Sequence, residues 1–183
     1  MDQTNPTSTI KAADRARTVA SYCLGLLCGA ACWGVAMAAS ALTALYLRNG
    51  LLTSHLTALT LVYFFGGALS WLVMVPFTER FADQRPPSAR FAAFFLALSL
   101  GTVAMTAFLF AMDYRWFYTR WHAPVGSLVW VFQLLFTGAS AVYQFAVLGL
   151  TLFLPFGLFF LIAASTYLAR HKRWDERSVR QTL

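Results

Sequence analysis

The stretch from Ala123 to Ala169 contains no Asp, Glu, Lys, Arg or His, and no other feature of the chain is so restrictive. Wound as one helix it would be roughly 70 Å long. The hydrocarbon core of a bilayer is about 30 Å thick. The stretch is therefore too long for one upright span and just long enough for two. Its division decides on which side of the membrane the C-terminus lies.

The rest of the chain repeats the pattern on a smaller scale. Of 183 residues, 59% are hydrophobic and only 11% charged, whereas soluble domains carry about 25% charged residues. The charges sit in short islands between long apolar runs. Inside lipid only helices and closed barrels satisfy their backbone hydrogen bonds. Barrel strands alternate polar and apolar residues over about ten positions, and these runs are continuous. The reading is an all-α, polytopic helical membrane protein with one membrane domain. A tail over 1–18 precedes it, the domain covers 19–169, and a basic tail covers 170–183.

A net charge of +7 invites a nucleic-acid reading, but the positive residues flank the apolar runs. The positive-inside bias places them there without nucleic acid. The lipid bilayer is the partner this composition implies. Arg outnumbers Lys twelve to two, which points to a GC-rich bacterial genome and so to a bacterial cytoplasmic (inner) membrane.

The first span is expected over Val19 to Leu47, preceded by Lys11, Arg15 and Arg17. Ala36-Met37-Ala38 resembles a signal-peptide cleavage site, but the apolar run continues past it, so an uncleaved span is expected. Gly25, Gly29, Cys32, Ala36 and Ser40 recur every three or four positions, and such small stripes let helices pack closely in lipid. Gly25, Gly29, Ala36 and Ser40 are therefore candidate helix-packing residues, within the chain or between copies. Cys23, Cys28 and Cys32 lack His or carboxylate company for a metal, and no cofactor is expected.

Asn49-Gly50 reads as a turn and Ser54 as a cap for a second span from Leu56 to Phe77. The hydrophilic loop from Thr78 to Arg90 follows, then Ser88 as a cap and a third span from Phe91 to Met112. After it come Asp113, Arg115, Trp116, Phe117, Tyr118, Arg120, Trp121 and His122. Aromatic residues of this kind collect at the membrane interface. Asp113, Arg115, Arg120 and His122 are the candidate rim or headgroup residues, with the arginines as anion holders.

Lys and Arg counts then thread the remainder. The N-terminal tail carries three, the first loop one, the second loop three, the third loop two and the C-terminal tail five. Four spans with both termini inside place eleven inside and three outside. Five spans place six inside and eight outside with the N-terminus inside, or eight inside and six outside with the N-terminus outside. Four spans with both termini cytoplasmic fit the positive-inside rule better. The spare length then becomes an interfacial or re-entrant helix before the last span. Thr137 to Ala141 is the expected bend, and the last span is expected from Val142 to Leu168 with a kink at Pro155. Against that bend stands a polar stripe of Gln133, Thr137, Ser140 and Gln144, which share a face only on an unbroken helix. The alternative is five spans, with a turn between Gly149 and Pro155.

No acidic residue lies deep in any span, so the usual mark of an ion or proton path is absent. Haem, thiol-redox, zinc-protease and phosphate-loop motifs are absent too. Two functions remain. One is a non-catalytic accessory or structural subunit packed on membrane-protein partner helices. The other is a small self-associating transporter or channel, with Gln133, Thr137, Ser140 and Gln144 lining a path. An enzyme using Asp113 and His122 is a third and weaker reading.

Overall fold

The computed structural model describes residues 6–52, 55–82, 84–118, 123–124, 126–154 and 156–181, with side chains between 16 and 170. It is 90% helical, and no strand occurs among the described residues. Five helices follow one another: α1 (Pro6–Leu47), α2 (Leu56–Ala82), α3 (Pro87–Tyr118), α4 (Leu128–Gln144) and α5 (Phe156–Gln181). Among the described residues four segments are long and apolar enough to cross a membrane: Ala16–Leu47, Leu56–Ala82, Pro87–Trp116 and Leu128–Phe153. Phe156–Arg170 is a shorter apolar helix.

Helix ends follow local chemistry. The turn after α1 places Asn49 at φ 55°, a left-handed conformation that Asn tolerates better than most residues, and the Gly50 N–H bonds the Leu45 carbonyl. Ser54 lies outside the described residues. Helix α3 begins at Pro87, one residue before Ser88, because a proline is well suited to the first helical position, where its missing N–H costs nothing. Helix α2 continues through Pro76 to Ala82.

Helices α1, α2, α3 and α5 form the bundle. Trp33, Trp71, Val75, Phe94, Leu98 and Leu161 make one buried cluster, with members from all four. Helix α1 runs antiparallel to α2: the Tyr22 hydroxyl donates to Glu79 at one end, while Ala41 and Ala44 pack with Tyr63 towards the other. Helix α5 runs antiparallel to α3, because Arg90 near the start of α3 donates to the carbonyl of Leu168 late in α5. The outer turn of α1 and the C-terminal part of α5 therefore share one end of the bundle, the basal end.

Helix α4 stays at the opposite end, the rim. The Arg115 guanidinium lies 5.9 Å from the Trp130 ring centre, and Phe145, just past α4, lies 5.9 Å from Phe110. Arg115 and Phe110 differ in height along α3 by roughly 7.5 Å, whereas roughly 22 Å of helix separates Trp130 from Phe145. So α4 runs obliquely across the rim instead of down the bundle. Its exposed apolar residues include Leu128, Phe132, Leu135 and Phe136, and only Ala141 is fully buried.

The long apolar stretch thus yields a rim helix followed by a bundle helix, in the expected order, but it divides elsewhere. The bend expected at Thr137–Ala141 is absent, and α4 runs through to Gln144; small residues permit a bend without breaking a backbone bond. A π turn (Phe145–Gly149) and a 3-10 turn (Leu150–Phe153) follow, ending at Leu154 with φ −91° and ψ 147°. The residue before a proline is pushed out of the helical region, so the chain breaks there and α5 starts at Phe156 rather than at Val142. Pro155 itself lies outside the described residues.

Candidate functional site

Viewed along its axis, α1 has two unlike faces. Inward lie Ala30, Trp33, Met37, Ala41 and Ala44, all buried. Gly29 and Gly34 belong to this side and are tight. A Cβ on Gly29 would meet the Trp71 indole at 2.5 Å, and one on Gly34 would meet the Phe64 carbonyl oxygen at 2.7 Å. Ser40 is fully buried and donates to the Phe153 carbonyl at 2.8 Å. Ala36 packs half-buried beside the core.

Outward lie Ser21, Gly25, Cys28, Cys32, Val35 and Ala39, all exposed. Their spacing alternates four and three, so they line one straight edge of the helix. Nothing lies within 4 Å of where a Gly25 Cβ would stand. The structure therefore separates the candidate packing residues: Gly29, Ala36 and Ser40 face the chain's own bundle, while Gly25 turns away with Cys32. Gly34 is a contact glycine that the spacing of small residues did not single out. Its signal is weaker, because it sits between Trp33 and Val35 and off the small-residue stripe.

The polar stripe on α4 has mixed surroundings. Gln133 is half-buried and its Oε1 accepts the Ala123 N–H at 2.9 Å. The Thr137 hydroxyl donates to the Gln133 carbonyl at 2.6 Å. Gln144 is half-buried and Ser140 exposed. The first two groups are thus engaged locally, in tying down the loop before α4 and in the helix's own backbone.

At the rim, Asp113 is exposed and Arg115 half-buried over Trp130. Arg120 and His122 lie outside the described residues. Arg48 reaches across to the Thr151 hydroxyl at 2.8 Å, and the buried Tyr63 hydroxyl donates to the Gly149 carbonyl at 2.6 Å. These two bonds hold the π and 3-10 turns against α1 and α2.

Inside the bundle a short polar chain crosses the helices at mid-height. The Trp33 indole N–H donates to Thr102 Oγ1 at 3.0 Å, and the Thr102 hydroxyl bonds Ser70 at 3.2 Å. Beside it lies a cleft of about 90 Å³, lined by Met37, Leu98, Phe153, Gly157 and Leu161 among others. Its lining is apolar but for Ser99, Thr102 and the Trp33 indole. Among the described residues no group of His, Cys, Asp and Glu is placed to hold a metal. Comparison with protein-family models, curated proteins and solved structures finds no match to this chain.

Proposed function

We propose that this protein is a non-catalytic membrane subunit whose outer α1 face packs against a helix of a partner membrane protein. One observation carries the reading: Ser21, Gly25, Cys28 and Cys32 form a stripe of small residues turned away from the bundle, with open space beside Gly25. In lipid, helices associate through close backbone approach at small residues. A face that met only acyl chains would have no need of them.

We infer a bacterial cytoplasmic membrane with both termini on the cytoplasmic side. The start of α1, the α2–α3 connection and the end of α5 belong to the basal end of the bundle, and Arg80, Arg85, Arg90 and Arg170 lie in or beside these segments, as the positive-inside rule favours.

The test is affinity purification in mild detergent followed by mass spectrometry, comparing wild type with the pair Gly25→Leu and Cys28→Leu. A stoichiometric partner that copurifies with wild type and is lost with an intact double variant supports the reading. A self-assembled oligomer with measurable solute flux, sensitive to Gln133→Leu and Gln144→Leu but not to the α1 changes, overturns it in favour of the transporter alternative.

A further inference from the structure

The basal end of the bundle contains three buried polar side chains with unpartnered atoms: Thr78 Oγ1 on α2, Arg90 Nε on α3 and Ser165 Oγ on α5. Thr78 is 4% exposed, Arg90 7% and Ser165 0%. Their heights agree. Arg90 bonds the Leu168 carbonyl, and Ser165 lies one turn inward of Leu168 on the same side of α5. The Thr102–Ser70 bond sets the register of α2 against α3; eight residues basal of each, Thr78 stands level with Phe94, one turn inward of Arg90. All three groups therefore fall within about one helical turn of each other in depth.

A guanidinium largely removed from water, with its Nε unpartnered, is costly unless an anion is near. The Arg90 bond to Leu168 is long, at 3.3 Å, and satisfies one of five donors. Arg90 also lies in the first turn of α3, where the helix dipole favours negative charge. Among the described residues no carboxylate pairs with it: Glu79 is taken by the Tyr22 hydroxyl. Two hydroxyls and one guanidinium are a donor set that suits a tetrahedral oxyanion.

We propose that the basal end of the bundle, between α2, α3 and α5, binds a phosphate group through Arg90, Thr78 and Ser165. The phosphate comes from an anionic phospholipid headgroup or from free phosphate, and the same donors serve both. Arg90 supplies the charge, while Thr78 and Ser165 turn their free hydroxyls towards the oxygens. The proposal is independent of the α1 partner face, which lies on another surface.

The test uses the purified full-length protein, delipidated and returned to nanodiscs of phosphatidylcholine alone or with phosphatidylglycerol, with and without inorganic phosphate. Wild type is expected to melt about 3 °C or more higher when an anion is supplied. Arg90→Met should abolish that increment, while Arg85→Met, which removes the same charge from the exposed loop, should keep it. An increment from phosphatidylglycerol alone identifies the lipid as the source; one from inorganic phosphate in phosphatidylcholine discs identifies the free ion. If Arg90→Met does not fold, Thr78→Val with Ser165→Ala removes the hydroxyls and keeps the charge, and must shrink the increment. An increment of equal size in wild type and Arg90→Met, or none in wild type under any condition, overturns the proposal. The second result would leave buried water as the partner of these groups.

Discussion

Gly34→Ala is the sharpest probe of the bundle. The added Cβ would lie 2.7 Å from the Phe64 carbonyl oxygen and 3.0 Å from its ring. The carbonyl belongs to the α2 backbone and cannot rotate aside, so α1 and α2 must separate by several tenths of an ångström. Their shared contact includes Trp33 against Trp71, with ring centres 5.9 Å apart, so the loosening spreads along the seam. Overpacking of this kind costs about 1–3 kcal/mol. The helix-propensity gain of Ala over Gly offsets at most about 1 kcal/mol of it. Gly25→Ala has the same propensity gain, so Gly34→Ala is expected to be less stable than it by about 1–3 kcal/mol, or by at least about 2–4 °C in melting temperature for a chain of this size. Gly25→Ala is the matched control, since nothing lies within 4 Å of its Cβ position, and it should leave stability unchanged or slightly raised. Thermal unfolding of both variants in one detergent measures the difference. Equal tolerance of Ala at 34 and 25 would refute the packing of α1 on α2 described above.

Other expectations are simpler. Thr102→Val strands the Trp33 indole N–H and the Ser70 hydroxyl in the core and should cost about 1–3 kcal/mol, with Thr102→Ser largely restoring stability on thermal unfolding. Ser40→Ala removes the bond to the Phe153 carbonyl and should raise backbone hydrogen exchange over Leu150–Gly157 more than in the rest of the bundle. Single cysteines at Arg85 and Arg173, in a background lacking the native cysteines, should both resist an impermeant reagent outside intact cells; labelling at 173 with protection at 85 would overturn the four-span threading. A nitroxide at Leu135, exposed on α4, should report a shallower bilayer depth than one at Leu100, exposed on α3; equal depths would make α4 a membrane crossing.

The class of fold and the existence of a rim helix were legible because they follow from length, charge and hydropathy. The turn at Asn49-Gly50 was legible because its residues have few other uses. The inward face of α1 was not. The spacing of Gly25, Gly29, Cys32, Ala36 and Ser40 suggests one contact edge, but in the fold the larger Trp33 and Met37 point into the core and turn the helix. Small residues mark close approach without saying to what; here Gly29 and Gly34 meet α2 while Gly25 meets nothing in the chain. The anion-site residues were hidden for another reason. Arg90 reads as one more charge in a hydrophilic loop, and only the antiparallel register of α5 shows that Leu168 and Ser165 lie over it.

The division of the apolar stretch after Ala123 shows how the competing signals are reconciled. The stripe of Gln133, Thr137, Ser140 and Gln144 demands an unbroken helix, and α4 is unbroken over all four. The positive-inside count demands that this helix not reverse the threading. Both conditions hold together only if the helix does not cross, and it lies obliquely at the rim with Arg115 and Phe110 as its supports. The remaining length must then cross on its own. Phe156 to Arg170 covers only roughly 22 Å as a helix, short of the roughly 30 Å core. The turns from Phe145 to Phe153 make up the difference, entering the bundle beside Tyr63 and Ser40. Irregular backbone at such depth is tolerated only where protein covers its polar groups. The Tyr63 and Ser40 hydroxyls take up the Gly149 and Phe153 carbonyls, so the chain changes direction inside the bundle with those groups satisfied.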